Sequence, residues 1–174
     1  IEFTQEFFNQ MPHKNVVSWN SLISYYVREG QCRVALDLFQ KMLNSSVVPD
    51  EATLVSVLSA CSQIGDLVIG RKTHNYICNS NIAPSVTLFN SLMDMYAKCG
   101  AVEIAMDIFV LIPEKNVVSW NIIIGALALH GRGSESIGIF EQMQAGGIWP
   151  DEITFIGLLS ACSHGGLLDL GRHY

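Results

Sequence analysis

The sequence has few of the features that usually bring chemistry into a protein of this length. Its five cysteines are odd in number and include no Cys-x-x-Cys pair, which argues against a disulfide framework and a zinc site. It contains no His-x-Glu segment, no glycine-rich phosphate loop followed by lysine and no Gly-x-Ser-x-Gly turn. We therefore expect no catalytic residue, no metal ligand and no bound cofactor within this chain.

Positive charge is also scarce. The ten Lys and Arg residues form no cluster, and the 16 Asp and Glu residues bring the net charge to −6. This balance argues against a simple basic nucleic-acid binder. Because no uninterrupted apolar run approaches the roughly 18 residues of a membrane-spanning helix, no membrane association is expected. The first residues, IEFTQEFFNQMP, indicate an amphipathic helix rather than a signal peptide, so any targeting signal is expected outside this sequence.

Repetition is what the sequence has in abundance. The phrase KNVVSWN at positions 14–20 returns at 115–121, which is 101 residues later. At the same offset, PDE at 49–51 matches PDE at 150–152, and LSACS at 58–62 matches LSACS at 159–163. Such matches at a fixed offset are typical of a repeat protein, so one super-repeat spans the chain.

The super-repeat divides into shorter repeats at 16–50, 51–85, 86–116 and 117–151, with partial repeats at 1–15 and 152–174. In each, the fourth, seventh, eighth and eleventh positions are apolar, which is the spacing of an amphipathic helix. A glycine-containing turn and a second helix follow, so each repeat is predicted to be a helical hairpin. Because a lone hairpin cannot bury its apolar stripe, we predict an all-α fold, a solenoid of stacked helix-turn-helix repeats.

Positions 2, 5, 9 and 12 of each first helix are predicted to lie on one line beside the core stripe. Positions 9 and 12 are mostly small or short and polar, which predicts an open channel. Position 5 is Asn20, Asn90 and Asn121 in three repeats, and Val55 and Ile156 in the other two. Asparagine is a mediocre helix former, so its recurrence needs a cause. Two remain open: a hydrogen bond to a neighbouring hairpin, or an amide presented to the edge of an unstacked base.

Each repeat ends in a small polar residue that precedes the next first helix. These last residues are Asn15, Asp50, Ser85, Asn116 and Asp151. Judged by residue type alone, they are predicted to be helix N-caps, which accept hydrogen bonds from the free backbone N–H groups of a first turn.

The letters of the repeats resemble the pentatricopeptide repeats of plants. VVSWNSLISYYVREGQCRVALDLFQKMLNSSVVPD resembles the P repeat, EATLVSVLSACSQIGDLVIGRKTHNYI looks like the L repeat, and VTLFNSLMDMYAKCGAVEIAMDIFVLIPEKN is similar to the shorter S repeat. The tetratricopeptide pattern Trp-x-x-Leu-Gly-x-x-Tyr is absent. The order of unequal repeats resembles the PLS subclass, which includes organellar RNA editing factors.

The resemblance implies a right-handed α-solenoid with a defined order of repeats. Residues 1–15 would be the end of an S repeat, 16–50 a P repeat, 51–85 an L repeat and 86–116 an S repeat. Residues 117–151 would be a second P repeat, and 152–174 the start of an L repeat. The chain is therefore expected to be a fragment of a longer array, and the cut ends are expected to promote self-association.

The resemblance also implies that position 5 and the last residue of a repeat jointly select one RNA base. The base-selecting residues so implied are Asn20, Asp50, Asn90, Asn116, Asn121 and Asp151. The two Asn–Asp pairs imply uracil, and the Asn–Asn pair implies a pyrimidine, with cytosine favoured. The L repeats depart from this pattern at Val55, Ser85 and Ile156, whose role stays open.

Two further positions acquire a role from the resemblance. Position 2 would wedge between successive bases, a role implied for Val17, Thr87, Val118 and Ile153, while Ala52 at the same position would grip less. Ordinary packing between helices is the alternative interpretation of these side chains. At position 13, Lys98 and Arg28 could contact phosphate, or could be solvated surface cations. Because such contacts are few, the salt dependence of binding should be shallow.

The function implied is sequence-specific binding of single-stranded organellar RNA at one base per repeat. The process implied is site selection for C-to-U RNA editing in the mitochondrion or chloroplast, with any deaminase located in another domain or a partner. Small editing cofactor proteins that dock on the L repeats are the implied protein partners. The alternative, which the acidic charge favours, is a protein-interaction solenoid without base readout.

Overall fold

The computed structural model describes residue 6 and residues 8–166. Within these residues all regular secondary structure is helical, and none of the helices is long and apolar enough to cross a membrane. The chain divides into two compact units, residues 1–84 and residues 85–174. The all-α class predicted from the apolar spacing is therefore confirmed in each unit.

The N-terminal compact unit contains two helical hairpins after a short helical segment around Phe8. The bounds are α1 Val16–Arg28, α2 Cys32–Leu43, α3 Glu51–Ile64 and α4 Leu67–Asn79. Helix α1 packs against both α2 and α3, α2 packs against α3, and α3 packs against α4. Each first helix therefore contacts its own hairpin partner and the first helix of the neighbouring hairpin.

The C-terminal compact unit repeats this arrangement. Its bounds are α5 Val86–Lys98, α6 Val102–Leu111, α7 Val117–Leu129, α8 Gly133–Ala145 and α9 Glu152–His164. Helix α5 packs against α6 and α7, and α7 packs against α8 and α9. The first helices α1, α3, α5, α7 and α9 begin at the residues that the repeat pattern predicts as first positions.

The cores are built from the apolar stripes that the sequence pattern predicts. Leu54, Val57, Leu58 and Cys61 of α3 are fully buried, and the seventh, eighth and eleventh positions of α1, α5 and α7 are buried as well. The pattern is incomplete in α9, where Phe155 and Leu159 stay partly exposed. The second helix predicted to cover them falls in residues outside those described.

A left-handed glycine ends the first helix of each hairpin. Gly30 and Gly100 have φ values of 71° and 81°, a conformation that costs a residue with a Cβ about 1–2 kcal/mol. The residue after Gly100 then donates its backbone N–H to the carbonyl of Tyr96 at 2.8 Å, and the equivalent bond after Gly30 has the same length. This closure satisfies carbonyls at the helix end and turns the chain into the second helix.

The repeated phrase KNVVSWN builds the same packing contact in both units. Its tryptophan meets the ring of a preceding phenylalanine edge-on, and its lysine ammonium lies over that ring. In the N-terminal unit the ring centroids of Phe8 and Trp19 are 4.8 Å apart, and Lys14 Nζ is 5.3 Å from the Phe8 centroid. Around Phe109 the corresponding distances are 4.9 Å and 5.0 Å. The two copies of the phrase therefore form the same aromatic contact with the helix that precedes them.

Candidate functional site

The last residue of each predicted repeat is the N-cap of the following first helix. The side chains of Asn15, Asp50, Ser85, Asn116 and Asp151 all accept hydrogen bonds from backbone N–H groups of the first turn. These N–H groups have no partner within the helix, so the caps stabilise its start. The N-cap prediction is confirmed at all five positions.

Three of these caps also accept a hydrogen bond from the asparagine at position 5 of the preceding first helix. In each case Nδ2 of the asparagine donates to Oδ1 of the cap. The donor–acceptor distances are 2.8 Å from Asn20 to Asp50, 2.8 Å from Asn121 to Asp151 and 3.2 Å from Asn90 to Asn116. The hydrogen bond to a neighbouring hairpin, which the sequence left open as one alternative, is thus present, and it joins the two residues implied to select a base.

A third residue completes each site, and the sequence analysis missed it. The hydroxyl at position 3 of the following repeat donates to Oδ1 of the asparagine, at 2.6 Å from Thr154 to Asn121 and 2.8 Å from Ser119 to Asn90. We call these sets amide clusters. They are Asn20–Asp50–Thr53, Asn90–Asn116–Ser119 and Asn121–Asp151–Thr154.

A signal for the third residue was present in the sequence. Position 3 carries a hydroxyl at Thr53, Ser119 and Thr154, which follow the three repeats with asparagine at position 5, and at Ser18, which follows the partial repeat 1–15. It is Leu88 in the repeat that follows Val55. Comparing position 5 of one repeat with position 3 of the next would have found the cluster.

The two carboxylates in the clusters are held in their ionised form. Partial burial by itself would raise the pKa of Asp50, but hydrogen bonds from the Thr53 backbone N–H, the Asn20 amide and the Thr53 hydroxyl outweigh it and lower the pKa. The backbone N–H of Thr154 is the largest cause that lowers the pKa of Asp151, with the amide of Asn121 adding to it. Each carboxylate is therefore a charged acceptor at neutral pH.

The three asparagines are not equally accessible. Asn20 and Asn121 are half-buried, whereas only 7% of Asn90 is exposed. Each Nδ2 has two N–H groups, and one of them is used within the cluster. Among the described residues, no hydrogen bond is formed by the second N–H of Asn20, so this donor remains available to a ligand.

Position 2 of the first helices is exposed throughout. Val17, Val118 and Ile153 expose 65%, 48% and 62% of their surfaces, and Ala52 and Thr87 are exposed too. In the described part of the chain these side chains are not packed between helices, so the packing interpretation does not hold there. Val17 and Val118 instead expose β-branched side chains one helical turn before the cluster asparagines of α1 and α7.

The predicted open channel does not extend to position 12 in α1, α3, α5 and α7. Val27, Ser62, Ala97 and Ala128 are buried there, whereas Ser163 of α9 is exposed, and the side chains at position 9 are half-buried. At about 100° per residue, position 2 lies opposite the core stripe, whereas position 12 lies only about 90° from the centre of that stripe. The prediction that four positions share one exposed line was therefore wrong for α1, α3, α5 and α7, where exposure falls from position 2 towards position 12.

The two predicted phosphate contacts differ in their surroundings. Arg28 is exposed at the end of α1. Lys98 is also exposed, but its Nζ lies 2.9 Å from Oδ2 of Asp94 one turn earlier in α5. Lys98 would have to exchange this carboxylate for a phosphate, so its contribution to anion binding is smaller than that of a free cation.

The L-repeat residues whose role the sequence left open do not form an amide cluster, because position 5 has no hydrogen-bonding side chain. Val55 is half-buried and Ile156 is exposed, and neither side chain has a hydrogen-bonding group. Ser85 caps α5 by accepting from the backbone N–H groups of Thr87 and Leu88. In the residues that the structure describes, no group of three His, Cys, Asp or Glu side chains could hold a metal ion.

Comparison with known families matches the repeats directly. The profile of the PPR repeat family, where PPR stands for pentatricopeptide repeat, matches residues 14–63 and again residues 115–164. The profile of the single PPR repeat matches residues 87–117. The two longer matches are separated by the same 101 residues as the repeated phrase.

Curated relatives from Arabidopsis thaliana share substantial identity with the chain. The chloroplastic pentatricopeptide repeat-containing protein At1g08070 is 47% identical over 168 residues, which cover 95% of this chain and 23% of the relative. The mitochondrial pentatricopeptide repeat-containing protein At5g19020 is 41% identical over 178 residues, which cover 100% of this chain and 26% of the relative. The chain thus spans about a quarter of the length of these relatives.

Solved structures share the fold. The pentatricopeptide repeat protein PPR10 in complex with an 18-nt psaJ RNA element matches 97% of this chain and 26% of its own, with a TM-score of 0.81 and 20% identity. The PPR domain of Arabidopsis thaliana protein-only RNase P 1 in complex with tRNA matches 88% of this chain and 83% of its own, with a TM-score of 0.70 and 13% identity. At these identities the likeness establishes the all-α helical-repeat fold.

Proposed function

Because the chain belongs to the pentatricopeptide repeat family, we propose that it binds single-stranded RNA and selects bases through its amide clusters. The observation that carries this proposal is the direct hydrogen bond between position 5 and the last residue in each of the three repeats with asparagine at position 5. The fold shared with PPR10, which was solved in complex with an 18-nt psaJ RNA element, supports it.

The Asn–Asp clusters have the hydrogen-bonding groups that uracil requires. Asn20 uses one N–H of its amide to bond Asp50 and retains the other as a donor, while the carboxylate of Asp50 supplies a charged acceptor. Uracil offers carbonyl acceptors next to an N3–H donor, so one edge of the base can accept from the amide and donate to the carboxylate. The same argument applies to Asn121 with Asp151.

The Asn–Asn cluster favours a different base. In it the cap Asn116 accepts through Oδ1 from Asn90 and from the backbone N–H of Ser119, so the amide group of Asn116 is left to present donors. Cytosine has an acceptor at N3 where uracil has a donor, and therefore fits a cluster whose carboxylate has been replaced by an amide. We infer a pyrimidine preference at this repeat, with cytosine favoured.

Base stacking would come from the exposed residues at position 2. Val17, Thr87, Val118 and Ile153 present apolar or β-branched surface that could contact the faces of successive bases. Such contacts are tolerant of base identity, because every base has an apolar face. Position 2 would therefore contribute affinity and the amide clusters would contribute the choice of base.

The wider role that we propose is site selection for organellar C-to-U RNA editing by a PLS-type array, with the P, L and S repeats bounded as the sequence predicts. The relatives named chloroplastic and mitochondrial support an organellar location. Any deaminase would lie in another domain or a partner, and small editing cofactor proteins would dock on the L repeats. Lys98 and Arg28 would contact phosphate.

The test is base preference measured with short RNAs. Proton–nitrogen correlation spectra of the chain detect weak binding, and they report on the side-chain amides of Asn20, Asn90 and Asn121 individually. The test RNAs carry uracil, any base, cytosine and uracil at four successive positions, one for each complete repeat, and are made with this series in both strand directions. They should bind more tightly than RNAs that carry adenine in place of the uracils and the cytosine. Asn121→Thr should shift the preference at one uracil towards guanine.

Asn75→Thr is the matched control, because Asn75 is exposed on α4 and belongs to no amide cluster. It should leave every base preference unchanged. If no RNA shifts the cluster amides, or if Asn121→Thr leaves the preference for uracil intact, base selection by these residues is refuted. A protein-interaction scaffold, in keeping with the net charge of −6, would then be the better account.

A further inference from the structure

We propose that the hydroxyl at position 3 of the following repeat, carried by Thr53, Ser119 and Thr154, is a positioning group for base selection by the repeat before it. The inference rests on the proposed function and deepens it. Base choice would then depend on three residues, of which two, the N-cap and the hydroxyl, lie at the start of the next hairpin.

The hydroxyl fixes which way the carboxamide faces. An asparagine side chain can rotate by half a turn, which exchanges its acceptor oxygen for its donor nitrogen. In the Asn121 cluster, Oδ1 accepts from the Thr154 hydroxyl at 2.6 Å while Nδ2 donates to Asp151 at 2.8 Å. The reversed amide would place its oxygen against the carboxylate and lose both bonds. The group left for a base is therefore the second N–H of Nδ2.

Helix capping alone does not account for the hydroxyl. Ser85 caps α5 although Leu88 stands at position 3, because the cap accepts from backbone N–H groups. Thr53 and Thr154 do accept from the backbone N–H of their cap residues as well. Where the preceding position 5 cannot form hydrogen bonds, at Val55, position 3 has no hydroxyl.

Ser119 gives the cleanest evidence, since it is fully buried and a buried hydroxyl requires a partner. Its Oγ is 2.8 Å from Oδ1 of Asn90 and 3.1 Å from Oδ1 of Asn116. Unlike Thr53, it forms no reciprocal bond with the backbone of the cap. Both hydrogen bonds of this hydroxyl therefore lie within the amide cluster.

The experiment compares Ser119→Ala with Ser119→Thr. Ser119→Ala removes the hydroxyl, while threonine keeps it and already occupies the equivalent buried positions at Thr53 and Thr154. In Ser119→Ala, the preference for cytosine over adenine at the base read by Asn90 should fall about three- to tenfold, the effect of losing one hydrogen bond. The preference for uracil at the base read by Asn121 should not change. Ser119→Thr should restore the parent preference.

Two further measurements separate positioning from a loss of folding. Ser18→Ala removes the equivalent hydroxyl from α1, where its hydrogen bonds among the described residues are to Asn15, and should leave all base preferences intact. Thr154→Val and Thr154→Ser repeat the comparison in a second cluster, with the circular dichroism of each variant confirming its fold. Without the hydroxyl of Ser119, the side-chain amide protons of Asn90 should exchange faster with solvent.

The outcomes distinguish the inference from the function on which it rests. If the parent chain shows no base preference, the proposed function is refuted, and so is the inference that rests on it. If the parent chain discriminates between bases and Ser119→Ala discriminates equally well at the base read by Asn90, only the positioning role is overturned. Loss of preference in both Ser119→Ala and Ser119→Thr would also overturn it, because the effect would then follow from packing.

Discussion

At the scale of the residue, Asp50 and Asp151 each serve several neighbours with one side chain. Asp151 caps α9 through the backbone N–H of Thr154 and accepts from the amide of Asn121. The cap alone could be predicted from the sequence, because small polar residues before an apolar-periodic stretch indicate a helix start. The bond to Asn121 could not, because it depends on how two first helices pack side by side.

The lowered pKa values of Asp50 and Asp151 predict how stability depends on pH. A carboxyl whose pKa is lower in the folded state stabilises the fold above its unfolded pKa of about 3.9, and this contribution is lost as the pH falls through the folded pKa. The parent chain should therefore lose stability below about pH 4. Urea unfolding at successive pH values measures the loss.

The double variant Asp50→Asn and Asp151→Asn should lose less stability than the parent over the same pH interval. Asparagine caps a helix about as well as aspartate, so the variant keeps its helix starts while losing the titrating groups. Glu141→Gln, which changes an exposed carboxylate on α8, serves as the control and should follow the parent. Equal losses in parent and double variant would contradict the prediction.

At the scale of the element, the helical hairpin is defined by its two ends. The N-cap starts each first helix and a left-handed glycine follows its end, and the predicted first positions coincide with the helix starts in all five cases. The burial of each helix face could not be predicted from residue size, because position 12 is buried in α1, α3, α5 and α7 although most of its residues are small. The size of a residue indicates whether it can fit between helices, but its angular position around the helix axis determines whether it is buried.

Two glycines allow the conformational requirement of the turn to be tested apart from packing. Gly131 lies in a turn with φ of 71°, whereas Gly138 lies in the interior of α8, and a Cβ at either would have no atom within 4 Å. Gly131→Ala should destabilise the chain by about 1–2 kcal/mol because alanine is strained in the left-handed region. Gly138→Ala should stabilise it by about 0.5–1 kcal/mol because alanine favours the helix.

Thermal and urea unfolding of the two alanine variants measures this difference. The signs are the decisive result, since both substitutions add the same methyl group to open space. If Gly131→Ala were neutral, the left-handed turn would not be required for the hairpin. If Gly138→Ala destabilised the chain, α8 would have a packing constraint at that residue.

At the scale of the whole molecule, an acidic chain is proposed to bind a polyanion. The net charge of −6 argued against a basic binder, and this is consistent with the proposed site, in which the amide clusters would recognise bases through hydrogen bonds and position 2 would contact base faces. Sequence composition could therefore argue against binding dominated by phosphate contacts, but not against binding through the edges and faces of the bases. The repeat pattern identified the fold, and the contacts between consecutive repeats identified the third residue of each cluster.

This balance predicts a shallow dependence of RNA binding on salt. For single strands, log K falls by about 0.7 per neutralised phosphate for each unit of log salt concentration. With Arg28 exposed and Lys98 paired to Asp94, the slope should lie between about −0.7 and −1.4. Binding measured between about 50 and 200 mM salt gives the slope, and Arg28→Ala should make it shallower by about 0.7. Lys41→Ala, which removes an exposed cation from α2, should leave it unchanged. A slope several times steeper would mean that phosphate contacts elsewhere, rather than the amide clusters, dominate the affinity.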